Sequence, residues 1–373
     1  MKSSDSTPPS SVSSLPLDWT NLLFIGLNSL AALTLAPAHA IFVGVPWQTW
    51  VFALIFAGVT NLSITAGYHR HYSHRSYDIS PLLHYFYLFF GSTAFQGSLL
   101  QWCSDHRKHH LQEDSEKDPY AITKGFWFAH VGWLFFKSND RKIERVADLE
   151  KKSLVRLQNK YYGWIAFLSG FVFPALVASL WGDALGGLLV AGCLRIFLTQ
   201  QTTFFVNSLS HYMGHRPYSL AVSARDNILV SFLTHGEGYH NFHHAFQFDF
   251  RNGIRWYHWD PTKWFIQTMA HMGLSWNLKT APAFEILKAK MHTLEADLLN
   301  KGQCSEHLAS LRERIFEAQK RLKTLNESWK ERSEGHYKKL MLDMRLASIE
   351  YQALVKQYFR SVRATRTLGS QRF

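Results

Sequence analysis

Four long stretches of the sequence are almost free of charge, and they constrain the fold more than any other feature. They run from Asn21 to Ala40, from Trp50 to about Ala66, from Gly163 to Trp181 and from Gly186 to about Val206. Only the last of them holds a charged residue, Arg195. A helix needs about 20 mainly apolar residues to cross the hydrocarbon core of a bilayer. The sequence therefore predicts four transmembrane helices, arranged as two hairpins.

The basic residues predict how these helices are oriented. The connections Ile41–Gln48 and Gly182–Leu185 contain neither Lys nor Arg, whereas the segment 70–160 and the region after His211 are rich in both. Cytoplasmic loops carry the excess of Lys and Arg, so both termini and both large polar stretches are predicted to be cytosolic. The membrane would be a bacterial inner membrane or the endoplasmic reticulum. Arg195 would either face a partner or cavity inside the bundle, or snorkel to the interface.

A fifth apolar stretch, Pro81–Leu100, is also long enough to cross a membrane. Histidine clusters flank it on both sides, at 69–74 and at 106–110. A crossing would put the two clusters on opposite faces of the membrane, where they could not form one site. We therefore expect an interfacial or re-entrant helix here, which His84 and Gln96 within the stretch also favour.

The 20 histidines are unusual in number, and nine of them recur in short clusters. Offsets of three and four residues place side chains on one face of a helix. Two trios have these offsets, and each trio can reach one small volume: His106, His109 and His110, and His240, His243 and His244.

The remaining candidates come from the ends of two predicted membrane helices. His69 and His74, five residues apart, would point about 140° from each other on a regular α-helix. This separation suits two different metals, or the frayed cytosolic end of the second span. Asn207 and His211, four residues apart at the end of the fourth span, form another convergent pair.

The kinds of ligand predict the metals. The three cysteines, Cys103, Cys193 and Cys304, are far apart, which excludes a disulfide framework and a thiolate site. An all-nitrogen ligand set suits Fe, Zn, Cu or Ni. Nine imidazoles are too many for one ion, so two metals are predicted. A pair of irons fits the oxidation of an unactivated C–H bond, and the membrane location predicts a lipid-like substrate.

These segments resemble the membrane-bound fatty acid desaturases, and most closely their acyl-CoA delta-9 (stearoyl-CoA) branch. The resemblance covers residues 17 to 272. It is carried by these motifs: ITAGYHRHYSHRSY, WCSDHRKHH followed by DPY and FAHVGWLFF, FVNSLSHYMGHRPY, GEGYHNFHHAFQFDFRNG and WDPTKW. It implies an all-α integral membrane fold with four transmembrane helices, a cytosolic helical cap and a non-haem di-iron centre.

The resemblance also implies roles for individual residues. The direct metal ligands would be His69, His74, His106, His109, His110, His211, His240, His243 and His244, with Asn207 holding a metal through water. The kink of a substrate tunnel would be fixed by Gln96, Trp102 and Thr203. Asp105 would contact the CoA headgroup, although Ser104 stands where animal members carry an Arg. Further candidate phosphate contacts are Arg107, Lys108, Lys124 and Lys137.

The implied reaction is the oxygen-dependent introduction of a cis double bond, at the delta-9 position, into a saturated fatty acyl chain. Acyl-CoA is the expected carrier, with acyl-lipid and acyl-carrier-protein substrates left open. A di-iron lipid hydroxylase or alkane monooxygenase is an alternative, as is a membrane metal-binding receptor or scaffold.

The absence of cofactor motifs and the net charge also predict partners. The sequence contains no HPGG-type haem motif, no cysteine series for an iron–sulfur cluster and no dinucleotide fingerprint. A separate cytochrome b5, or a ferredoxin with its reductase, would therefore supply electrons. The net charge of +12 would attract CoA phosphates and an acidic donor, and no nucleic-acid partner is expected.

After Pro282 the sequence becomes highly charged, and apolar residues recur at alternating steps of three and four. They are Leu287, Met291, Leu294 and Leu298, then Leu311, Ile315, Ala318, Leu322, Leu325 and Trp329, then Leu340, Met344, Ala347, Tyr351, Leu354 and Tyr358. With breaks at Gly302 and Gly335, this heptad pattern predicts three soluble helices. They would form a small antiparallel bundle or a coiled coil with a second chain, serving self-association, docking or regulation, or only capping the catalytic domain.

The predicted organisation is a disordered tail at 1–17, a membrane desaturase domain at 18–280 and a C-terminal helical region at 281–373.

Overall fold

The computed structural model describes residues 15–137, 142–303, 306–330 and 337–370. The described chain divides into two compact units. The first contains the residues up to 280 apart from 217–220, and the second contains 217–220 and the residues from 281 onward. Residues 1–14 of the predicted N-terminal tail lie outside the described residues. The residues that follow them are paired, since the backbone N–H of Lys137 donates to the carbonyl of Pro16 (2.8 Å).

The first unit is helical, with one two-stranded antiparallel sheet in its described part, β1 (Asp78–Ile79) with β2 (Ser275–Trp276). Its helices, in chain order, are α1 (Trp19–Phe42), α2 (Trp47–Ser73), α3 (Pro81–Ser92), α4 (Leu99–Gln112), α5 (Phe126–His130), α6 (Ala147–Glu150), α7 (Ser153–Lys160), α8 (Tyr162–Ser179), α9 (Ala184–Tyr212), α10 (Ile228–Leu233), α11 (His240–Ala245) and α12 (Pro261–His271). Short 3₁₀ turns lie at Ile122–Lys124 and Gly132–Leu134.

Four of these helices, α1, α2, α8 and α9, are long and apolar enough to cross a membrane. They confirm the four predicted spans and their arrangement as two hairpins. Each contains a π-helical stretch, in which backbone hydrogen bonds step five residues instead of four. The longest of these stretches, Ser63–Ser73, ends α2.

Polar side chains join the two hairpins at the ends opposite the histidines. Asp183 caps the start of α9 by accepting from the backbone N–H of Gly186 (3.0 Å). The hydroxyl of Thr49, on α2, donates to Asp183 (2.5 Å) and accepts from the indole N–H of Trp181 (2.9 Å). This buried chain of hydrogen bonds ties the first turn of α2 to the turn between α8 and α9.

The fifth apolar stretch does not form one helix. α3 ends at Ser92, and the chain turns through two residues with positive φ, Phe95 (54°) and Gly97 (98°). α4 then begins at Leu99, with the hydroxyl of Ser98 as its N-cap acceptor. Because the stretch bends back, the histidines on either side of it stay at the same end of the molecule, as predicted.

Arg195 is buried inside the bundle and does not snorkel. Its guanidinium donates to the carbonyl of Thr93 (3.0 Å) and the hydroxyl of Thr60 (3.3 Å), and lies 4.2 Å from the ring centroid of Phe56. A further N–H points to the carbonyl of Gly170 (3.4 Å). The partners are therefore backbone and hydroxyl oxygens of α2, of α8 and of the turn that follows α3.

The described residues of the second unit form three helices, which confirms the prediction: α13 (Ala283–Asn300), α14 (Glu306–Lys330) and α15 (Tyr337–Ser370). Its core includes predicted seam residues from all three, namely Met291, Leu298, Leu311, Ile315, Ala318, Leu354 and Tyr358. The break at Gly302 is observed (φ 68°). Gly335 and the side chains of Trp329 and Leu340 lie outside the described residues.

Candidate metal centre

All nine predicted histidines converge at one end of the first unit. His69 lies in the π-helical end of α2 and His74 directly follows it, while α4 carries His106, His109 and His110. His211 lies in the last turn of α9, and α11 carries the remaining three, His240, His243 and His244. Four separate parts of the chain therefore contribute to one cluster.

The histidines form two groups, each compact enough to surround one ion, with ring nitrogens all within 4.8 Å of one another. The first group has five members: His69, His74, His106, His110 and His243. Their Nε2 atoms converge, with distances of 2.8 Å from His74 to His106 and 3.0 Å from His69 to His243.

The second group has four members: His109, His211, His240 and His244. Their Nε2 atoms also converge, at 3.0 Å from His211 to His240 and 3.1 Å from His240 to His244. Asn207 lines the same cavity as His109 and His240.

The structure corrects the expectation for His69 and His74. Both belong to the five-histidine group, and their ring centroids are 4.9 Å apart. The backbone N–H of His74 donates to the carbonyl of His69 (3.2 Å), a five-residue step. A π-helix places residues five apart on the same face, whereas the α-helical angle had separated them.

Each histidine trio is divided between the two groups. On α4, His109 faces the second group while its two companions face the first. On α11, His243 faces the first group while His240 and His244 face the second. α4 and α11 therefore border both sites, and the ring centroids of His110 and His244 lie only 4.2 Å apart.

Three carboxylates stand behind the histidines, and sequence reasoning missed them. Glu237 Oε2 lies 2.7 Å from His69 Nδ1, and Asp118 lies 3.0 Å from His109 Nδ1. Glu113 Oε2 lies 2.5 Å from His244 Nδ1. An imidazole that donates its Nδ1–H outward directs its Nε2 lone pair inward, toward a metal.

Glu237 is held in turn by a buried network. Arg70 donates to Glu237 Oε1 (2.9 Å), to Asp260 Oδ1 (2.9 Å) and to the carbonyl of Phe250 (2.8 Å). Burial opposes ionisation of the Glu237 carboxyl, but the charge of Arg70 and the hydrogen bonds from Arg70 and His69 outweigh it and lower the pKa of Glu237 to about 2. Glu237 is therefore an anion that fixes the orientation of His69.

Burial also keeps most of the imidazoles neutral. It lowers the pKa of His240 to about 3, and together with the neighbouring histidines it lowers the pKa well below the usual value for His74, His106, His110, His243 and His244. His109 differs: burial opposes its charged form, but Asp118 outweighs burial and raises its pKa.

These observations test whether a metal fits. The Nε2 atom of His109 is buried and has no hydrogen-bond partner among the described residues. Neutral imidazoles whose lone pairs converge repel one another, and a cation between them removes that cost. The donor set is nitrogen throughout, which suits borderline transition metals such as iron. The residues present therefore fit two metal ions.

A cavity opens directly onto both groups. It is lined by His69 and His106 of the first group, by His109 and His240 of the second, and by apolar side chains such as Phe24 and Ile64. All four predicted substrate-binding residues and Asn207 also line it: Gln96, Trp102, Asp105, Thr203 and Asn207.

Three of these residues are joined by hydrogen bonds. The amide of Gln96 donates to the hydroxyl of Thr203 (2.9 Å) and accepts from the indole N–H of Trp102 (3.2 Å). The Trp102 ring stacks on His106, with centroids 4.9 Å apart. This bridge links the turn after α3 to α4 and α9 directly beside the five-histidine group.

Arg107, a candidate phosphate contact, is committed to other partners. It donates to Asp148 Oδ1 (2.7 Å) and to the carbonyls of Tyr72 and Arg145 (2.6 and 2.7 Å). The Arg107 guanidinium lowers the pKa of Asp148 to about 2, against the opposing effect of burial. Arg107 therefore holds the end of α2 to α6.

Comparison with known proteins agrees with this picture. The family model described as fatty acid desaturase matches residues 45–279. A protein named probable acyl-CoA desaturase from Schizosaccharomyces pombe is 42% identical over 275 residues, which are 72% of this chain and 57% of that protein. Acyl-CoA desaturase 1 from Saccharomyces cerevisiae is 41% identical over 62% of this chain and 46% of its own length.

The aligned part of the chain thus spans about half the length of these two fungal relatives. A human relative named stearoyl-CoA desaturase is 36% identical over 279 residues, which are 72% of this chain and 76% of that protein. Because the family model covers most of the chain and the relatives are 36–42% identical over 62–72% of it, the chain belongs to the fatty acid desaturase family.

Proposed function

We propose that the chain is an oxygen-dependent fatty acyl desaturase, which introduces a cis double bond at the delta-9 position of a saturated acyl chain. The observation that carries the proposal is the cavity that joins both histidine groups to the Gln96–Trp102–Thr203 bridge. The names of the relatives, acyl-CoA and stearoyl-CoA desaturase, support acyl-CoA as the carrier.

The proposed cofactor is a pair of irons. The five-histidine group would hold one ion, and the four-histidine group would hold the other with Asn207 through a water. When bound, the irons would supply the activation of O₂ that oxidation of an unactivated C–H bond requires.

The protein's own residues would determine where that oxidation occurs. A methylene chain offers no charge to bind, so its position must be set by the shape of an apolar cavity. The Gln96–Thr203 hydrogen bond closes the wall next to the Trp102 ring, and its rigidity would hold one pair of carbons beside the histidines. The apolar wall would also exclude water from the reacting carbons.

The remaining partners belong to the same proposal. Electrons would come from a cytochrome b5, or from a ferredoxin with its reductase, docking on the side of the histidines. Both termini would lie in the cytosol, in an endoplasmic reticulum or bacterial inner membrane, because Lys and Arg are concentrated in the polar segments and absent from the two short connections between the spans.

Self-association through α15 is also proposed. Three apolar residues on this helix, Leu342, Leu346 and Ile349, are more than half exposed. They lie on the face opposite Ala347, Leu354 and Tyr358, which are buried. A helix with apolar stripes on two opposite sides can pack inside its own unit and against a second copy.

The reaction can be tested with the full chain in lipid nanodiscs. We expect about two irons per chain, and the conversion of stearoyl-CoA, O₂ and a reducing system into an acyl chain with one cis double bond. Mass spectrometry would locate the bond. His243→Ala should lose iron and turnover, whereas His292→Ala, on the exposed face of α13, should keep both. Two bound irons with only a hydroxylated product would refute desaturation, and retained turnover in His243→Ala would refute the ligand assignment.

A further inference from the structure

A rigid patch of exposed apolar side chains lies next to the second histidine group. It consists of one face of α10 and part of the loop before α12, and we call it the α10 patch: Ile228, Leu229, Phe232, Trp256, Tyr257 and Trp259. Their exposed fractions run from 42% for Trp259 to 86% for Trp256. Contiguous exposed surface of this kind marks an interaction site, because soluble surfaces rarely carry it.

The patch is held in place by the fold. Lys263 Nζ donates to the carbonyls of Gly253 and Arg255 (2.7 and 2.8 Å) and so braces the loop that carries the tryptophans. The rings of Phe232 and Trp259 are in contact, with centroids 5.2 Å apart. The exposure of these rings is therefore fixed by defined contacts on the buried side of the loop.

The patch continues the surface of the membrane-spanning helices. α10 packs against the Arg195–Asn207 part of α9. A series of ring contacts, each with centroids between 4.8 and 6.2 Å apart, joins the patch to α8 through α12 and α3. In order its pairs are Trp259–Trp264, Phe265–Phe86, Phe86–Phe90, Phe90–Phe89 and Phe89–Phe173.

The chemistry of the patch fits a lipid leaflet. Trp and Tyr are enriched where membrane meets water, because their rings are apolar and their N–H or O–H groups remain hydrated. No residue of the patch is charged, and the exposed residue next to it, Arg255, suits an anionic headgroup. The nearest acidic side chains along the sequence are Asp226, Glu237 and Asp260, and each accepts hydrogen bonds from within the fold.

We propose that the α10 patch inserts into the membrane leaflet beside α9 and holds the cap against the bilayer at the second histidine group. The backbone of α10 contacts the loop that leads into α11: Ser231 O accepts from Gly236 N (2.8 Å), and Gly238 O accepts from Asn227 N (2.7 Å). A Cβ at position 238 would lie 2.2 Å from Ser231 N, so the loop fits α10 closely. Lipid contacts at α10 therefore fix the loop that carries Glu237 and begins at His235.

Spin labels on the full chain in nanodiscs test the proposal. Cys103, Cys193 and Cys304 would first be replaced, and Ile228→Cys, Phe232→Cys and Trp256→Cys labelled one at a time. The control is Lys117→Cys, on an exposed charged loop. At the patch we expect strong relaxation by oxygen, which concentrates in lipid, and weak relaxation by a water-soluble nickel chelate. The control should show the reverse.

Two results would overturn the proposal. Strong relaxation by the nickel chelate at all three positions would place the patch in water. Weak relaxation by both reagents would mean that protein covers it, for example a second copy of the chain. As a further check, Phe232→Glu should raise the nickel accessibility of a label at position 228 several-fold and leave the label at position 117 unchanged.

Discussion

The carboxylates behind the histidines determine which nitrogen each imidazole offers to a metal. Glu113 contacts His244 Nδ1 at 2.5 Å, whereas the Nδ1 atom of the neighbouring His211 pairs with the hydroxyl of Ser223 at 2.8 Å. Asp118 and Glu237 each orient one further histidine. Loss of such an outer partner usually costs about 10- to 100-fold in metal affinity.

We therefore expect Glu113→Gln to lower iron affinity by about 10- to 100-fold, because a neutral amide is a weaker acceptor for the Nδ1–H of His244 than a carboxylate is. The measurement is the iron retained per chain during titration with a chelator. Glu116→Gln is the matched control, since Glu116 is 74% exposed and lies only three residues away. Equal iron retention in the two variants would show that Glu113 does not support the metal site.

For individual residues, the sequence predicted the metal ligands but not the carboxylates that orient them. Eight of the nine histidines were recognisable because they recur at offsets of three, four and five within short clusters, and His211 was recognisable because it lies four residues after Asn207. Glu113, Asp118 and Glu237 are single carboxylates with no repeating pattern, although Glu113 and Glu237 each lie three residues from a histidine of a cluster. Their role depends on tertiary contacts such as Arg70 with Glu237, between residues 167 positions apart.

Among the helices, hydropathy predicted the number of membrane spans but not the π-helical stretches within them. The π-helical end of α2 brings His69 and His74 into one group, against the angle expected for an α-helix. Hydropathy and α-helical periodicity do not distinguish a four-residue from a five-residue hydrogen-bond step. The turn between α3 and α4 was predictable, because only a chain that bends back can unite the histidines on its two sides.

Arg195 connects three helices to the turn between α3 and α4, so replacing it should lower the stability of the protein. Arg195→Met would leave the buried carbonyl of Thr93 without its donor, at a cost of about 1–3 kcal/mol in the free energy of unfolding. Arg195→Lys should recover only part, because an ammonium cannot reproduce the guanidinium fork. The measurement is unfolding of the iron-loaded protein in detergent, with the exposed Arg314→Met as control. Equal stability of Arg195→Met and the control would contradict this role.

For the molecule as a whole, helices α13 to α15 of the second unit lie beyond the matched family region, and the surface of α15 suggests how two copies meet. In a heptad that places Leu346 at position a and Leu342 and Ile349 at d, Arg345 takes position g and Glu350 position e. In a parallel pair of helices, g of one copy faces e of the next heptad in the other, so Arg345 and Glu350 would attract each other. In an antiparallel pair g faces g, and in the register that brings positions 342 and 353 together Arg345 would face the neutral Gln352. The charges therefore favour the parallel arrangement.

Substitutions on this face should change the oligomeric state. Leu346→Asp would put a charge in the apolar seam, so we expect full-length chains in detergent to shift from dimer to monomer by light scattering. Leu299→Asp, at an exposed position on α13, should leave the dimer intact. Arg345→Glu should weaken the dimer, and the double variant with Glu350→Arg should restore it, because the pair is exchanged rather than lost.

Leu342→Cys and Ala353→Cys should each form disulfides between identical positions. Two results would contradict parallel pairing. One is a monomeric unsubstituted protein. The other is a preference for mixed disulfides between positions 342 and 353, because only antiparallel helices bring those two positions together.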